Sequence, residues 1–490
     1  MDIALALSRK SPMTLGVQVA EGIRKLVQDG LIAPGEPLPS TRELARSLGI
    51  GRNTVIAAYE QLADSGHLAL APRRRPMVNP DLTRPAPSPR RQDVPPAPRP
   101  LPGQIMADRL GPSYDLGPET RWDFRLGTPA VESFPERSWL RVYRRALSAQ
   151  NLLYSHDPRG SMHLRAAVAA RLLRSRGITA TPEQIVITTG TQQAVAAIAR
   201  FVLTADDAVL MEEPGYLTAR RLFLSLGARV RPAPVDEQGL LTDKLPSGRL
   251  AYVTPSHQFP LGGVLPLPRR QQLLAWAVRH DAFLIEDDYD GEFRFGLPPL
   301  PALQGLDRNG RTFYVGTFSK VLAPGLRLGF IVAPETLAPA LAEFRALTER
   351  PPDGVSQEAL AAFITEGSFE AHLRRMRKLY AERRRLVDTV LTERLPPGWH
   401  ITGAPAGLHV PIVCTTPSAP DLEALSRQWQ SQGLLVEMLA PYSMARRPPA
   451  GLVLNYGALP PNELERGLLA LCEVLQASYP RHARSTPGER

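Results

Sequence analysis

Residues 312–333 read TFYVGTFSKVLAPGLRLGFIVA, and this stretch decides how the larger part of the chain is interpreted. Two apolar runs, at 313–315 and 328–333, predict two buried strands with a polar break between them. Lys320 lies in that break. A lysine at the end of a buried strand is a suitable place for a Schiff base, because apolar surroundings disfavour the ammonium ion and lower the pKa of the amine.

The residues beside Lys320 are suited to binding a phosphate group. Thr317 and Ser319 supply two hydroxyls, and Arg327 supplies a guanidinium that can contact a phosphate through two N–H groups. An amine that traps an aldehyde, next to a phosphate site, fits pyridoxal 5'-phosphate. The alternative is a solvated lysine and arginine on an ordinary strand-to-loop turn, and this stretch alone does not decide between the two.

The composition indicates a soluble chain with more than one domain. Its 490 residues exceed what one hydrophobic core usually holds, and 43% hydrophobic with 22% charged residues is ordinary for a globular protein. The net charge of +10 permits a nucleic-acid partner without proving one. Two cysteines, Cys414 and Cys472, are too few for a disulfide framework, and no apolar run is long enough to cross a membrane. We therefore expect a cytoplasmic protein without a signal peptide.

The first eighty residues predict a helix-turn-helix. An apolar helical face runs along residues 14–29, and Ser40 and Glu43 form a capping box that begins a short helix at 41–48. A glycine turn then leads to a second helix that begins near Asn53. Two helices joined by a tight glycine turn are typical of a DNA-binding module.

The N-terminal end of that second helix carries side chains that can reach phosphates or base edges in a major groove, namely Arg52, Asn53 and Thr54. Two short strands, at 67–70 and 76–78, follow on either side of three arginines and predict a basic wing. Any one of these arginines by itself is more often a solvated surface charge, whereas the set within this motif favours DNA binding.

This segment resembles the winged helix-turn-helix of the GntR family of bacterial regulators. The resemblance covers residues 12–78 and includes the spacing PG..LPS.R.LA..LG..R.TV..AY..L...G. It implies that the DNA-contacting residues are Arg42, Arg52, Asn53 and Thr54. The wing departs from the family pattern, because APRRRPMV stands where a glycine-rich tip is usual, and arginines there can enter a minor groove.

Proline and arginine are concentrated between residues 72 and 102, which cannot bury a core and should form an extended linker. Its arginines can add a weak attraction to DNA, but plain solvated charges are the simpler interpretation. We therefore divide the chain into a DNA-binding domain at 12–80, a linker at 81–120, a large domain at 121–478 and a tail at 479–490.

From about Asp123 onward, strand-like and helical patterns alternate. This alternation is typical of an α/β domain with a mostly parallel sheet covered by helices, and ligands bind such sheets at the carboxyl ends of the strands. The predicted strands are 185–188, 208–212, 249–253, 282–286, 311–315 and 328–332.

Polar residues follow three of those strands. Gly190 and Thr191 open a helix whose free N–H groups form an anion site, although an ordinary helix start is the alternative. Tyr216 can stack on a flat ring, although a lone tyrosine is more often part of a core. The carboxylates at 286–290 need a nearby cation, which a protonated pyridine nitrogen would supply. Bound metal is the rival interpretation, and no His or Cys pattern supports it, so we predict no metal.

Taken together, these motifs resemble the pyridoxal phosphate-dependent enzymes of fold type I, the aspartate aminotransferase family, over residues 123–475. TTGTQQA, EEPGY, EDDYDGEF and GTFSKVLAPGLRLG occur in the family order. The resemblance implies that Lys320 forms the internal aldimine, that Asp287 pairs with the pyridine N–H and that Tyr289 hydrogen-bonds the phenolic oxygen. The remaining predicted cofactor-binding residues are Tyr216 on the ring, Gly190, Thr191, Thr317, Ser319 and Arg327 at the phosphate, and Tyr154 reaching the phosphate of the neighbouring subunit.

Two positions depart from the aminotransferase pattern. The usual Asn-Pro-x-Gly turn reads SHQFPLG here, so His257 or Gln258 replaces the asparagine at the phenolic oxygen, or the turn never touches the ring. Val453 stands where transaminases carry the arginine that binds the substrate carboxylate, and a valine cannot do so. Arg446 and Arg447 are close in sequence, but solvated loop charges are the simpler interpretation.

A GntR-type reading head, a Pro/Arg linker and an aminotransferase-like body together resemble the MocR/GabR family of pyridoxal phosphate-dependent transcriptional regulators. The resemblance implies a head-to-tail homodimer that binds promoter DNA and whose body senses pyridoxal phosphate, or an amino compound through it. Because Val453 replaces the arginine, pyridoxal phosphate itself is a credible effector, as in PdxR-type members that control vitamin B6 synthesis. An active aminotransferase with an attached DNA module, and a cofactor-binding scaffold without specific DNA recognition, are the alternatives.

Overall fold

The computed structural model describes most of the chain and divides it into two compact units, Met1–Leu101 and Pro102–Arg490. We describe each unit by itself. The described residues are 3, 5–71, 74–82, 120–153, 157–296, 300–416 and 419–478. Most of the predicted 81–120 linker, all of the predicted 479–490 tail, and Arg73 of the wing lie outside the described residues.

The first unit has the predicted winged helix-turn-helix form. Both hydrogen bonds of the capping box are present, from Glu43 N to Ser40 Oγ at 3.3 Å and from Ser40 N to Glu43 Oε2 at 2.8 Å. The second helix of the motif begins one residue earlier than expected, at Arg52. Its elements are α1 (Leu15–Gln28), α2 (Thr41–Leu48), α3 (Arg52–Asp64), β1 (Leu68–Ala69) and β2 (Met77–Val78), with β1 and β2 antiparallel.

One apolar core holds this unit together, because each helix turns one face inward as the helical periodicity predicts. Ile23 of α1, Leu44 of α2 and Leu62 of α3 are all fully buried. Tyr59 of α3 links the core to the segment before α2, since its hydroxyl donates to the carbonyl of Pro39 at 2.9 Å. The three helices are thus fixed relative to one another within the unit.

The second unit is built on an eight-stranded, mostly parallel sheet, as expected for the body. β11 is antiparallel to both of its neighbours, so its amino end lies at the edge where the parallel strands end. The strand order is β4-β11-β10-β9-β8-β5-β6-β7, and the strands are β4 (Ile185–Thr188), β5 (Ala208–Glu213), β6 (Arg229–Asp236), β7 (Gly239–Leu240), β8 (Leu250–Val253), β9 (Phe283–Asp288), β10 (Thr312–Thr317) and β11 (Gly329–Val332).

Helices cover this sheet, and a smaller sheet follows near the carboxyl end of the chain. The smaller sheet has the order β12-β13-β16-β15, with β12 (Trp399–Ile401), β13 (His409–Cys414), β15 (Glu437–Met438) and β16 (Gly451–Asn455), while β3 (Trp122–Asp123) pairs with β14 (Leu434–Leu435). The helices are α4 (Glu136–Ala146), α5 (Met162–Arg176), α6 (Thr191–Val202), α7 (Leu217–Ser225), α8 (Leu267–Arg279), α9 (Leu303–Leu306), α10 (Ala338–Ala346), α11 (Gly354–Thr365), α12 (Ser368–Arg394), α13 (Leu422–Ser431) and α14 (Pro461–Ala477).

The sheet differs from the sequence-based expectation in two strands, β6 and the two-residue β7, and in several strand ends. β6 was not predicted, because Pro232 and Pro234 interrupt it and proline argues against a strand inside a sheet. β9 and β10 each continue two residues beyond the predicted ends, to Asp288 and Thr317. The extension matters because it brings the polar end of each strand into the ladder.

Among the described residues, no helix combines the length and apolar character that a membrane crossing requires.

Replacing Ser40 with Ala should destabilise α2, because one N–H group at the helix start loses its acceptor. We expect the free energy of local opening to fall by about 0.5–2 kcal/mol. Hydrogen-exchange mass spectrometry on the full chain measures this as faster exchange in the peptide that covers α2. Gln61→Ala, an exposed change on α3, is the matched control, and unchanged exchange in the Ser40 variant would contradict the capping role.

Candidate functional site

Lys320 lies just beyond the carboxyl end of β10, where the loop leads back into β11. Its Nζ donates to the carbonyl of Gly127 at 2.7 Å. Burial lowers the pKa of Lys320, while the carboxylates of Asp290, Asp287 and Glu437 oppose that shift. A larger share of neutral amine is therefore available near neutral pH than for an exposed lysine, and the neutral amine is the form that attacks an aldehyde.

An anion-binding corner lies next to Lys320. Gly190, with φ 124°, precedes the first turn of α6, and no side chain caps that helix start. A Cβ on Gly190 would lie 3.6–3.7 Å from the guanidinium of Arg327, which is ordinary contact distance, so the positive φ rather than the available space favours glycine here. Thr317, opposite Gly329 in the sheet, donates from its hydroxyl to Ser319 Oγ at 3.0 Å. Helix N–H groups, two hydroxyls and a guanidinium are groups that can hold a phosphate.

Asp287 is the carboxylate that a cofactor ring would complete. Its Oδ2 accepts a hydrogen bond from the hydroxyl of Tyr252 at 2.5 Å, and its Oδ1 is buried with no hydrogen-bond partner among the described residues. Burial raises its pKa to about 7. A buried acceptor of this kind fits the protonated nitrogen of a pyridine ring, which would supply both a hydrogen bond and a positive charge.

The neighbouring carboxylates already have partners, which corrects the expectation that the whole group needs a cofactor cation. Glu286 accepts from two backbone N–H groups at the start of α9 and lies 3.8 Å from the guanidinium of Arg270. Asp288 Oδ2 lies 2.7 Å from Arg176 Nε and accepts from Tyr314 Oη at 2.6 Å, while Asp288 Oδ1 has no hydrogen-bond partner among the described residues. The sequence analysis missed both arginines because they come from distant helices. Among the acids of β9, Asp287 has no ion pair within the described part of the chain.

Tyr289 is held by the SHQFPLG turn. Its hydroxyl donates to the carbonyl of His257 at 3.0 Å and lies 3.1 Å from Nδ1 of the same histidine. Gln258 instead donates to the carbonyl of Phe259 within the turn and to that of Pro214, just after β5. Of the two residues weighed for the missing asparagine, His257 therefore contacts the tyrosine expected at the phenolic oxygen, and Gln258 has a structural role.

A buried cluster that the sequence analysis did not foresee connects this turn to the smaller sheet. Asp290 lies 3.0 Å from His257 Nδ1 and 4.0 Å from His409 Nδ1 on β13. These three residues are the candidate metal group found among the described residues. His257 and Asp290 already lie at hydrogen-bond distance, and His257 lowers the pKa of Asp290 against the effect of its burial. The arrangement is that of an ionised acid held by a histidine, and our prediction of no metal stays a prediction.

Aromatic rings line the space above Asp287. Tyr216 stacks against Tyr252 with ring centroids 6.5 Å apart, and Phe259 meets the rings of both Tyr216 and Tyr289 edge-on, at 5.5 and 5.8 Å. Tyr216 is thus close to the Tyr252–Asp287 pair, as its predicted ring contact requires. Tyr154 lies outside the described residues, so its predicted contact with a neighbouring subunit stays a prediction.

The position expected for a carboxylate-binding arginine is apolar. Val453 is fully buried in the middle of β16, opposite Pro411 of β13 and Glu437 of β15. Arg446 and Arg447 are exposed on the loop before β16.

The predicted DNA-contacting residues lie together at the exposed starts of α2 and α3. Arg42, Arg52 and Asn53 are exposed and Thr54 is half-buried. Arg52 Nε donates to Thr41 Oγ1 at 3.4 Å, which keeps its guanidinium near the start of α2. On the wing, Arg75 pairs with Glu43 at 3.1 Å.

Comparison with known families divides the chain as its two folds do. The GntR family of bacterial regulatory proteins matches residues 15–78, and the aminotransferase class I and II family matches residues 126–467. The chain is therefore a GntR-type regulator that carries an aminotransferase class I and II domain. Such a body and the cofactor-shaped site within it indicate pyridoxal 5'-phosphate as the cofactor.

Similar regulators match nearly the whole chain. A protein of Rhizobium meliloti named as a probable rhizopine catabolism regulatory protein, MocR, is 37% identical over 95% of both chains. The pyridoxine biosynthesis transcriptional regulator PdxR of Corynebacterium glutamicum is 34% identical over 93% of this chain and 95% of its own. This chain belongs to the MocR/PdxR family of transcriptional regulators.

Two solved aminotransferases resemble most of this chain. LysN, an α-aminoadipate aminotransferase of Thermus thermophilus, is 29% identical, with a TM-score of 0.66 over 72% of this chain and 92% of its own. An archaeal alanine:glyoxylate aminotransferase aligns with a TM-score of 0.69 at 24% identity, over 78% of this chain and 96% of its own. Both confirm fold type I for the second unit.

Without cofactor, Asp287 should make folding progressively less favourable as the pH rises from about 4 to about 7. The folded Asp287, whose pKa is about 7, keeps a proton that the unfolded chain, with an ordinary pKa of 3.8, releases. Asp287→Asn should reduce the decline by on the order of 1–3 kcal/mol, measured as urea midpoints across this pH range. Asp243→Asn, an exposed change, is the control; identical pH profiles for wild type and Asp287→Asn would contradict the assignment.

Proposed function

We propose that this regulator binds pyridoxal phosphate covalently through Lys320 and reports the occupancy of that site to its DNA-binding unit. The observation that carries the proposal is the unpaired, buried Oδ1 of Asp287 in the same cleft as Lys320. A carboxylate left without a partner is costly unless a ligand supplies one. The GntR-type unit in the same chain is the part that would respond to cofactor binding by changing its binding to DNA.

Each predicted residue has a definite task. Lys320 would hold the aldehyde carbon, Asp287 the ring nitrogen and Tyr289 the phenolic oxygen, while Tyr216 packs on the ring. When bound, the cofactor supplies an electrophilic aldehyde carbon to amines. The phosphate would be held by Gly190, Thr191, Thr317, Ser319 and Arg327.

The effector is either the cofactor or an amino compound that reacts with it. PdxR of Corynebacterium glutamicum, at 34% identity, is named as a regulator of pyridoxine biosynthesis, which supports control of pyridoxal phosphate synthesis as one possibility. MocR of Rhizobium meliloti and TauR of Rhodobacter capsulatus, at 37% and 31% identity, carry other names. Because the names of these relatives refer to different processes, we propose that the effector differs between regulators that share this fold.

The assembly that we propose is a cytoplasmic head-to-tail homodimer on promoter DNA. Two reading heads joined to their bodies by the predicted 81–120 linker would contact two half-sites, whose spacing depends on the arrangement of the bodies. Tyr154 would complete the phosphate site of the neighbouring subunit. Occupancy at Lys320 would shift the balance between two arrangements of the dimer.

A working aminotransferase is the second candidate, favoured by the same cofactor-binding set. The buried Val453 argues against it, because a substrate carboxylate finds no arginine at that position. Incubating the purified protein with amino acids and a keto-acid acceptor distinguishes the aminotransferase from the sensor. Multiple turnovers would support the enzyme, whereas a spectral change without turnover would support the sensor.

Replacing Lys320 with Ala should abolish the visible absorbance band that the wild type develops with pyridoxal phosphate, because the covalent bond to the protein is lost. Absorbance after dialysis measures it, and circular dichroism checks that the fold is kept. Lys378→Ala, an exposed lysine of α12, should keep the band. A band retained in the Lys320 variant would show that another amine holds the cofactor.

Replacing Arg52 with Ala should weaken binding to the promoter region upstream of the protein's own gene without changing the absorbance band. If Arg52 contacts a phosphate, the slope of log affinity against log salt concentration should fall by about one. Fluorescence anisotropy at several salt concentrations measures both effects. Lys244→Ala, an exposed lysine of the body, serves as control, and equal affinities for wild type and Arg52→Ala would remove Arg52 from the interface.

A further inference from the structure

An acidic side chain stands beside the apolar position where a carboxylate-binding arginine was expected. Glu437, the first residue of β15, lies directly opposite Val453 of β16 in the antiparallel ladder. Val453 is fully buried, whereas Glu437 is half-buried. This neighbourhood therefore offers a ligand a carboxylate rather than a guanidinium.

Glu437 and Lys320 contact the same short piece of chain. Glu437 Oε1 accepts a hydrogen bond from Leu126 N at 2.7 Å, and Lys320 Nζ donates to the carbonyl of the next residue, Gly127, at 2.7 Å. The Leu126–Gly127 strip is itself fixed from behind, because Asn455 Nδ2 donates to the carbonyls of Arg125 and Thr128 on either side of it. The carboxylate of Glu437 and the amine of Lys320 thus form hydrogen bonds to consecutive residues of one fixed strip.

The other oxygen of Glu437 points toward the ring-binding part of the cleft. Its Oε2 accepts from the hydroxyl of Tyr442. The Tyr442 ring lies edge-on to Phe259, with centroids 5.1 Å apart, and Phe259 in turn meets Tyr216 and Tyr289. Glu437 therefore lies on the wall of the cleft that also contains the ring-stacking and phenol-binding residues.

Neither arginine near this wall forms an ion pair with Glu437 within the described residues. Arg125, next to the strip, pairs with Asp123 at 2.7 Å. Arg220 donates to the carbonyl of Pro441 at 2.8 Å and also contacts the carbonyl of Tyr442. A ligand that reaches Glu437 meets negative charge and two carboxylate oxygens, each with capacity for a further hydrogen bond.

From this geometry we infer that the effector is an amine whose far end carries a hydroxyl or ammonium group received by Glu437, and not an amino acid that presents a carboxylate there. The inference rests on the proposed function, since it names the ligand class of the same cleft. The amine nitrogen forms the double bond to the cofactor aldehyde carbon as the bond to Lys320 breaks. Both hydrogens of that nitrogen end on Lys320 Nζ, and no oxidant or reductant is required.

Four amines of equal chain length test the inference: butylamine, aminobutanol, diaminobutane and aminobutyrate. Each is titrated into the cofactor-loaded full chain, and dissociation constants come from calorimetry and from the cofactor absorbance. We expect diaminobutane and aminobutanol to bind more tightly than butylamine, and aminobutyrate to bind most weakly. A hydrogen bond to a charged group corresponds to a preference of roughly tenfold to a hundredfold.

Glu437→Gln should remove most of the preference for diaminobutane over butylamine, while its amide oxygen can still accept from Leu126 N. Glu423→Gln, an exposed change on α13, is the matched control and should keep the wild-type order. If Glu437 serves only to hold Leu126 and Tyr442, all four amines weaken alike in the variant, and the inference is overturned. Should the variant fail to fold, the order measured on the wild type decides.

The result also separates this inference from the proposed function. If aminobutyrate binds best, through Arg446 and Arg447 or otherwise, or if no amine displaces Lys320, the inference is wrong while covalent cofactor binding stands. If no absorbance band forms with pyridoxal phosphate at all, the proposed function itself fails.

Discussion

The buried carboxylate of Asp287, with one oxygen bonded to Tyr252 and the other without a partner, is the constraint on which the body depends. An isolated charge in a low-dielectric interior is strongly unfavourable, so a protein either neutralises it or leaves it for a ligand. Here the adjacent acids of β9 have internal cations, because Glu286 lies near Arg270 and Asp288 lies against Arg176, although Asp288 Oδ1 has no hydrogen-bond partner among the described residues. Asp287 has no ion pair in that part of the chain, and we propose that a ring nitrogen supplies one.

The rest of the cleft follows from the way in which the strands end. β10 is parallel to β9 and antiparallel to β11, so the lysine that follows β10 and the arginine that precedes β11 meet at the edge where Asp287 lies. The start of α6 approaches the same edge, because β4 pairs with β11. The residues proposed to hold the aldehyde, the ring and the phosphate therefore all lie at one edge of the sheet, where ligands bind in folds of this class.

The same frame supports different uses depending on the wall opposite the lysine. An aminotransferase needs a cation there to orient a substrate carboxylate. This chain has a fully buried valine and an acid at that wall, while the residues facing the cofactor remain. A cofactor site without a carboxylate-binding arginine fits the proposed sensor. An amine that binds there without being converted can stabilise one conformation of the protein over another.

By itself the sequence determined both folds and the family, and it predicted which residues face the cofactor. It did so because short motifs, such as the capping box and the lysine that follows a buried strand, depend on interactions between residues that are close in sequence. Only the tertiary structure decided which carboxylate of β9 has no ion pair, since Arg176 and Arg270 reach the neighbouring Asp288 and Glu286 from helices far away in sequence. The same holds for the His257–Asp290–His409 cluster and for Glu437 beside the Leu126–Gly127 strip. Long-range pairing leaves no local pattern, because its partners are brought together only when the sheet and its covering helices have formed.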